Sequence, residues 1–105
     1  MPNGESKNWT RLMITLESFY SLYGYWPTMI HLYSFFIDEL KTMLSSEDFN
    51  TLQSKLELIS DDENPFLALD KAGNYYDYRT GSHPIGETKL KAIDWLNIKE
   101  PDYYD

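Results

Sequence analysis

The chain has 105 residues, of which 42% are hydrophobic, and single domains most often hold about 100–150 residues. It is therefore long enough for one domain with a hydrophobic core. It contains no cysteine, which excludes disulfides, thiolate metal sites and a cysteine nucleophile. Its net charge of −8 opposes approach to phosphate backbones and anionic lipid, and it favours basic partners.

We expect a single domain over residues 1–105, with flexible ends at about 1–7 and 99–105. No apolar run approaches the ~20 residues that a membrane span needs, and the first six residues are polar rather than a signal peptide. A chain without cysteine also fits a reducing compartment. The expected location is therefore the cytoplasm.

A helix is predicted from Asn8 to Tyr23, because its apolar residues are spaced by three and four positions. They are Trp9, Leu12, Met13, Leu16, Phe19, Tyr20 and Tyr23. Gly24 follows where a helix commonly ends in a left-handed residue. Pro27 cannot continue the helix, so the chain must change direction there.

A short strand, then two helices, are predicted between residues 28 and 59. Residues 28–33 alternate and are rich in β-branched and aromatic types, which favours a strand. Ser34 is the expected N-cap of the second helix. Ser45 and Ser46, followed by two acids, predict the start of the third helix. A strand should replace this third helix somewhere within residues 55–59.

A β-hairpin is predicted from two strand-like runs, residues 66–69 and 75–78, on either side of a turn with Gly73 and Asn74. Residues 60–65 before it form an acidic loop, which we expect to be the most mobile internal part of the chain. Residues 87–96 have the apolar spacing of a last short helix.

The predicted fold class is α+β, with three to four helices packed on a short antiparallel sheet that includes the hairpin. The element order over residues 9–78 resembles the winged-helix arrangement, in which the second and third helices form a helix-turn-helix and the hairpin is the wing. This resemblance implies a nucleic-acid-associated regulator, which is the alternative function.

The charges near the third helix and the hairpin do not favour DNA binding. The charged side chains of residues 46–57 on the third helix and just after it total −2, and the hairpin sets Lys71 and Arg79 against Asp70 and Asp77. Neutralising phosphates requires lysine or arginine. A protein is therefore the expected partner, and neither nucleic acid nor a membrane is.

Few residues in this sequence suit catalysis or metal binding. The two histidines are His31, in the predicted strand, and His83, in a loop beside Ser82. Adjacency in sequence does not hold a nucleophile and a base in hydrogen-bond geometry. The acids of residues 61–63 match no calcium-loop spacing. We therefore predict no enzyme, no metal site and no cofactor.

The predicted function is binding of a basic protein partner, or of a second copy, through an acidic and tyrosine-bearing surface. Residues 46–70 carry one lysine and seven acids, a net charge of −6. Alternation along the second hairpin strand separates Tyr75 from Tyr76 and Tyr78, so at least one tyrosine should face solvent, and interfaces are enriched in tyrosine. The predicted partner-binding residues are Glu57, Asp61, Asp62, Glu63, Tyr75, Tyr76 and Tyr78.

Overall fold

The computed structural model describes residues 7–81 and 91–101. Its elements are α1 (Asn8–Tyr23), β1 (Met29–Leu32), α2 (Ser34–Met43), α3 (Ser46–Lys55), β2 (Glu57–Ser60), β3 (Leu67–Leu69), β4 (Tyr75–Asp77) and α4 (Ala92–Leu96). Helices packed with a four-stranded sheet confirm the predicted α+β class. The first residues of the predicted last helix lie outside the described ranges, and the helix itself is present from Ala92.

The sheet is mixed rather than wholly antiparallel, and its strand order is β2-β1-β3-β4. β1 lies in the interior, where Ile30 faces Leu58 of the parallel strand β2 and Ala68 of the antiparallel strand β3. β3 and β4 form the predicted hairpin. The chain reaches β2 through α2 and α3, because a parallel connection needs a crossover.

Strand β2 is also where the structure departs from the winged-helix resemblance. It begins one residue after α3 and extends the sheet on the side of β1 that is opposite the hairpin. α3 therefore leads directly into the sheet. The element order is not confirmed as winged-helix-like.

α1 forms where the apolar spacing predicts it. Trp9, Leu12, Leu16 and Phe19 are buried along one side. Gly24 ends the helix at φ 81°, and its N–H donates to the carbonyl oxygen of Tyr20. The left-handed turn at glycine thus satisfies a backbone acceptor that the helix end would otherwise leave unpaired.

α2 and α3 begin in different ways. The Ser45 hydroxyl accepts the backbone N–H of Asp48 at 3.1 Å, which is the predicted cap of α3. Ser34 does not cap α2, because it is the first helical residue, and the preceding Tyr33 supplies no side-chain cap. The Asp62 carboxylate takes that role, and it accepts the N–H of Ser34 at 2.8 Å.

α4 is held against the rest of the helical layer by stacking and by a lysine. Trp95 stacks on Trp26, with ring centroids 4.8 Å apart. The Nζ of Lys55 donates to the carbonyl oxygens of Trp95 and Leu96 at the end of α4. A cation at a helix C-terminus is favoured by the helix dipole, so Lys55 acts as a long-range cap.

The core lies between the helices and one face of the sheet, which we call the inner face. Alternation places Ile30, Leu32, Ala68 and Tyr76 on this face, and all four are buried with the apolar sides of the helices. The opposite face, which we call the outer face, carries the residues between them. They are Met29, His31, Glu57, Ile59, Leu67, Leu69, Tyr75 and Asp77.

No helix in residues 7–81 or 91–101 is both long enough and apolar enough to cross a membrane.

Candidate protein-binding surface

The acidic loop, residues 60–65, has a defined hydrogen-bonded conformation. One oxygen of Asp61 accepts the backbone N–H groups of Glu63 and Asn64, both at 3.0 Å, which is an Asx turn. The Arg79 guanidinium donates to the carbonyl oxygen of Glu63 at 2.9 Å and to Oδ1 of Asn64 at 2.8 Å. Asp61 and Arg79 therefore hold the loop in one hydrogen-bonded conformation, and its mobility stays a prediction.

Asp61 also links the loop to the outer face. Its second oxygen lies 2.8 Å from Nδ1 of His31, which stands between Ile59 of β2 and Leu67 of β3. The hydrogen bond with His31 and those from the two backbone N–H groups lower the pKa of Asp61, so the carboxylate is ionised at neutral pH. A negative charge is therefore held beside the centre of the outer face.

Asp62 serves the fold although it is exposed. Its carboxylate accepts the N–H of Ser34, and the Ser34 hydroxyl lies 3.0 and 3.1 Å from the two carboxylate oxygens. A carboxylate at this end of a helix is stabilised by the dipole. Asp62 therefore stabilises the start of α2, and its contact with a partner stays a prediction.

Four carboxylates lie on the outer face or in the loop after β2. Glu57 lies on β2, opposite Met29, and is exposed. Asp77 lies on β4, opposite Leu67, and accepts the backbone N–H of Arg79 at 3.0 Å. Asp61 follows β2, and exposed Glu63 stands next to it in the loop. Carboxylates thus stand at both edge strands and at one end of the sheet, and Asp77 is paired with the Arg79 guanidinium, whose Nε lies 3.5 Å from Oδ1.

The three predicted tyrosines separate as strand alternation predicts. Tyr75 lies on the outer face and is 57% exposed, whereas Tyr76 is 4% exposed on the inner face. Tyr78 packs against the core, with its ring centroid 6.0 Å from that of Phe66. Only Tyr75 is well placed to contact a partner. Tyr76 and Tyr78 belong to the packing of the hairpin.

Four apolar residues of the outer face were not assigned to any surface by the sequence analysis. They are Met29, Ile59, Leu67 and Leu69, each of them partly exposed. Among the described residues, the buried core and the side chains packed against it do not include any of the four. The signal was present in the sequence, because Leu58-Ile59 and Leu67-Ala68-Leu69 place apolar side chains on both faces of their strands.

A separate polar cluster fixes the hairpin turn. One oxygen of Asp70 accepts the N–H groups of Ala72 and Asn74 at 2.9 Å, and the other accepts the Tyr25 hydroxyl at 2.5 Å. The bond from Tyr25 lowers the pKa of Asp70, and the same bond raises the pKa of Tyr25. Asp70 is only 7% exposed, so we interpret this cluster as a structural joint between the turn and the chain after α1.

The residues that the sequence analysis weighed for catalysis are only partly described by the structure. Ser82 and His83 lie outside the described ranges, and His31 is hydrogen-bonded to Asp61. Within residues 7–81 and 91–101, no three His, Asp or Glu side chains are grouped so that they could hold a metal ion. Two described cavities, of about 230 and 400 Å³, have no histidine in their lining.

Comparisons with known proteins add no assignment. No protein-family model matches this chain, and neither a curated protein nor a solved structure matches it. The interpretation of the outer face therefore rests on its geometry and charge.

Proposed function

We propose that this protein is a non-catalytic interaction domain that binds a basic protein partner through the outer face of its sheet. The observation that carries the proposal is the combination of partly exposed apolar residues, an exposed tyrosine and carboxylates on the face of the sheet that the described helices do not cover. Its apolar members are Met29, Ile59, Leu67, Leu69 and Tyr75. Its exposed carboxylates are Glu57 and Glu63, and Asp61 and Asp77, which are hydrogen-bonded within the fold, lie beside them.

The two kinds of group have different roles in binding. Burial of the apolar residues supplies most of the favourable free energy, because it removes apolar surface from water. The surrounding carboxylates accelerate association and select a partner of opposite charge. Since the chain carries −8, two copies repel each other at long range. A basic partner is therefore preferred over a second copy.

The nucleic-acid alternative needs basic side chains near α3 and the hairpin, and two of them take part in the fold. Lys55 donates to carbonyl oxygens of α4, and Arg79 donates to the acidic loop. Contact of these residues with phosphates would compete with those bonds. Lys71 is exposed, but by itself it provides a smaller basic surface than the three residues together would. Nucleic acid is therefore the alternative outcome of the test.

A cytoplasmic location is part of the proposal, because a chain without cysteine needs no oxidising compartment.

The test is capture of partners from an extract of the native host by three tagged proteins. The first is the wild type. The second carries Glu57→Lys and Glu63→Lys at exposed acids next to the outer face. The third is a control with the same charge change, Asp38→Lys and Glu47→Lys, at exposed positions of α2 and α3. Each capture is made with and without nuclease, at low and high salt.

We expect a nuclease-resistant protein that the wild type and the control retain, and that the second variant and high salt release. Equal retention by all three proteins would mean that the acids around the outer face only interact with water. Material that disappears with nuclease, and whose binding falls steeply with salt, would support the nucleic-acid alternative.

A further inference from the structure

We infer that the element of the partner that contacts the outer face is an amphipathic helix with lysine or arginine along its flanks. The helix lies across the sheet as a third layer of the fold. This inference rests on the proposed function and adds the shape and the chemistry of the partner.

Apolar residues occupy both faces of the sheet. A sheet with one solvated face normally alternates apolar residues on the covered face with polar residues on the solvated face. Here apolar or aromatic side chains occupy five of the eight outer-face positions. The outer face therefore has the composition of a face that becomes covered.

The dimensions of the outer face match those of a short α-helix. Four strands about 4.8 Å apart span about 14 Å, and strands of three or four residues are about 10–13 Å long. An α-helix has a diameter of about 10 Å and rises about 5.4 Å per turn. Two to three turns of one helix therefore match the apolar area.

The edges of the sheet, where an added strand would have to pair, offer little to a partner. β2 and β4 have four and three residues, so a new strand would gain few main-chain hydrogen bonds. On β4, the carbonyl oxygen of Tyr75 already accepts the hydroxyl of Tyr23 at 2.7 Å. The open face is thus a better docking site than either edge.

Acidic side chains stand around the apolar area of the outer face. Glu57 and Asp77 stand on the two edge strands, on either side of the apolar residues. Glu57 is exposed, whereas Asp77 is paired with Arg79. Asp61 stays ionised beside His31, its side chain is 24% exposed, and a cation on the partner would offset the cost of removing the remaining water from this carboxylate. A second copy would bring the same acids against these ones. Cationic side chains on both flanks of a helix match this arrangement.

The experiment titrates the isotope-labelled full chain with three synthetic peptides of 14 residues. The first has leucines on one face of a helix and lysines on its flanks. The second has the same composition in an order that spreads the leucines around the helix. The third replaces the lysines by glutamates. NMR chemical shifts locate the binding site, and calorimetry measures the dissociation constant.

We expect the first peptide to become helical on binding and to shift the backbone amides of β1, β2 and β3. We expect the scrambled peptide and the glutamate peptide to bind at least tenfold more weakly. Ile59→Gln and Leu67→Gln should weaken the first peptide about tenfold or more. The matched control is Leu22→Gln, at an exposed leucine of α1, which should leave the affinity unchanged.

Several results would overturn the inference. They are shifts confined to the helices, equal binding of the scrambled peptide, and a bound peptide that pairs as a strand. Sedimentation that shows a dimer of the free protein, abolished by Leu67→Gln, would make a second copy the occupant. Because the shift map uses the wild type, the inference remains testable even if a variant is unstable.

The same titration separates this inference from the proposed function. If Leu67→Gln abolishes binding while the Glu57→Lys and Glu63→Lys variant binds unchanged, the apolar docking holds and the charge argument fails. If the charge reversal releases the natural partner but the shifts caused by the helical peptide lie elsewhere, the proposed function holds and the helix inference fails.

Discussion

The inner and outer faces of the sheet are made of alternate residues of the same strands, and yet only one of them is part of the core. Ile30 and Ala68 are 0% exposed on the inner face, while their neighbours Met29 and Leu67 are partly exposed on the outer face. The residue types are similar, so the position of the helices makes the difference. Apolar character alone does not tell whether a strand residue serves stability or recognition.

The acids of residues 57–63 also fall into two groups, those bonded within the fold and those that are exposed. Asp61 and Asp62 are hydrogen-bonded within the fold, to His31 and to the start of α2. Glu57 lies on the outer face and Glu63 in the loop after β2, and both are exposed. An acidic segment can therefore contain both structural carboxylates and carboxylates that are available to a partner.

The largest expected effect compares the two faces directly. Leu32→Ala on the inner face should lower the free energy of unfolding by about 2–5 kcal/mol, because it removes buried methyl groups and leaves a cavity. Leu67→Ala on the outer face should cost about 1 kcal/mol or less, since its side chain is partly solvated. Urea denaturation followed by circular dichroism measures both. Equal losses would mean that the outer face is as tightly packed as the core.

The next effect concerns how closely the chain covers the inner-face residue Tyr76. A Cβ at Gly81 would lie 2.3 Å from the ring of Tyr76. We expect Gly81→Ala to destabilise the protein by about 1–3 kcal/mol through overpacking. Adding Tyr76→Leu to this variant should recover part of the loss, which a double-mutant cycle in urea would show. Strictly additive losses would contradict the contact.

A smaller effect should distinguish carboxylates used by the fold from exposed ones through the pH dependence of stability. The pKa of Asp70 and that of Asp61 are lowered in the folded protein, so the unfolded state binds more protons as pH falls. Their contribution is present above the unfolded value of about 3.9 and is lost as pH falls further, through the folded pKa values.

Asp70→Asn should flatten this acid loss, and Glu63→Gln, at an exposed carboxylate, should leave it unchanged. Urea midpoints measured from pH 7 to pH 2 test both variants.

At alkaline pH the direction of the stability change reverses for Tyr25, because its pKa is raised in the folded protein. Its contribution is present below about pH 10 and is lost as pH rises through its folded pKa. The Tyr25→Phe variant should lack that loss.

The smallest expected effect is that of Leu22→Gln. Leu22 is 54% exposed on α1, and a surface substitution of this kind changes stability by about 0.5 kcal/mol or less. Thermal melting of the variant beside Leu67→Gln would sharpen the comparison between a single exposed leucine and a leucine within an apolar face. A large loss for Leu22→Gln would indicate an unrecognised contact of α1.

The candidate surface was only partly predictable. The exposure of Tyr75 and the location of the acids followed from strand alternation and composition. The apolar half of the surface was not recognised, because the sequence of β3 alone does not show that helices cover one face only. The structural use of Asp62 was also missed, since its partner Ser34 lies 28 positions away.

By itself, the sequence determined the elements that depend on neighbouring residues. α1 followed from its apolar spacing and Gly24, α3 from the Ser45 cap, and the hairpin from its turn residues, because these signals act within a few positions. The tertiary structure alone decided the parallel pairing of β2 with β1, the capping of α4 by Lys55, and which face of the sheet the described helices cover. Each of these depends on contacts between distant parts of the chain, and no local pattern encodes them.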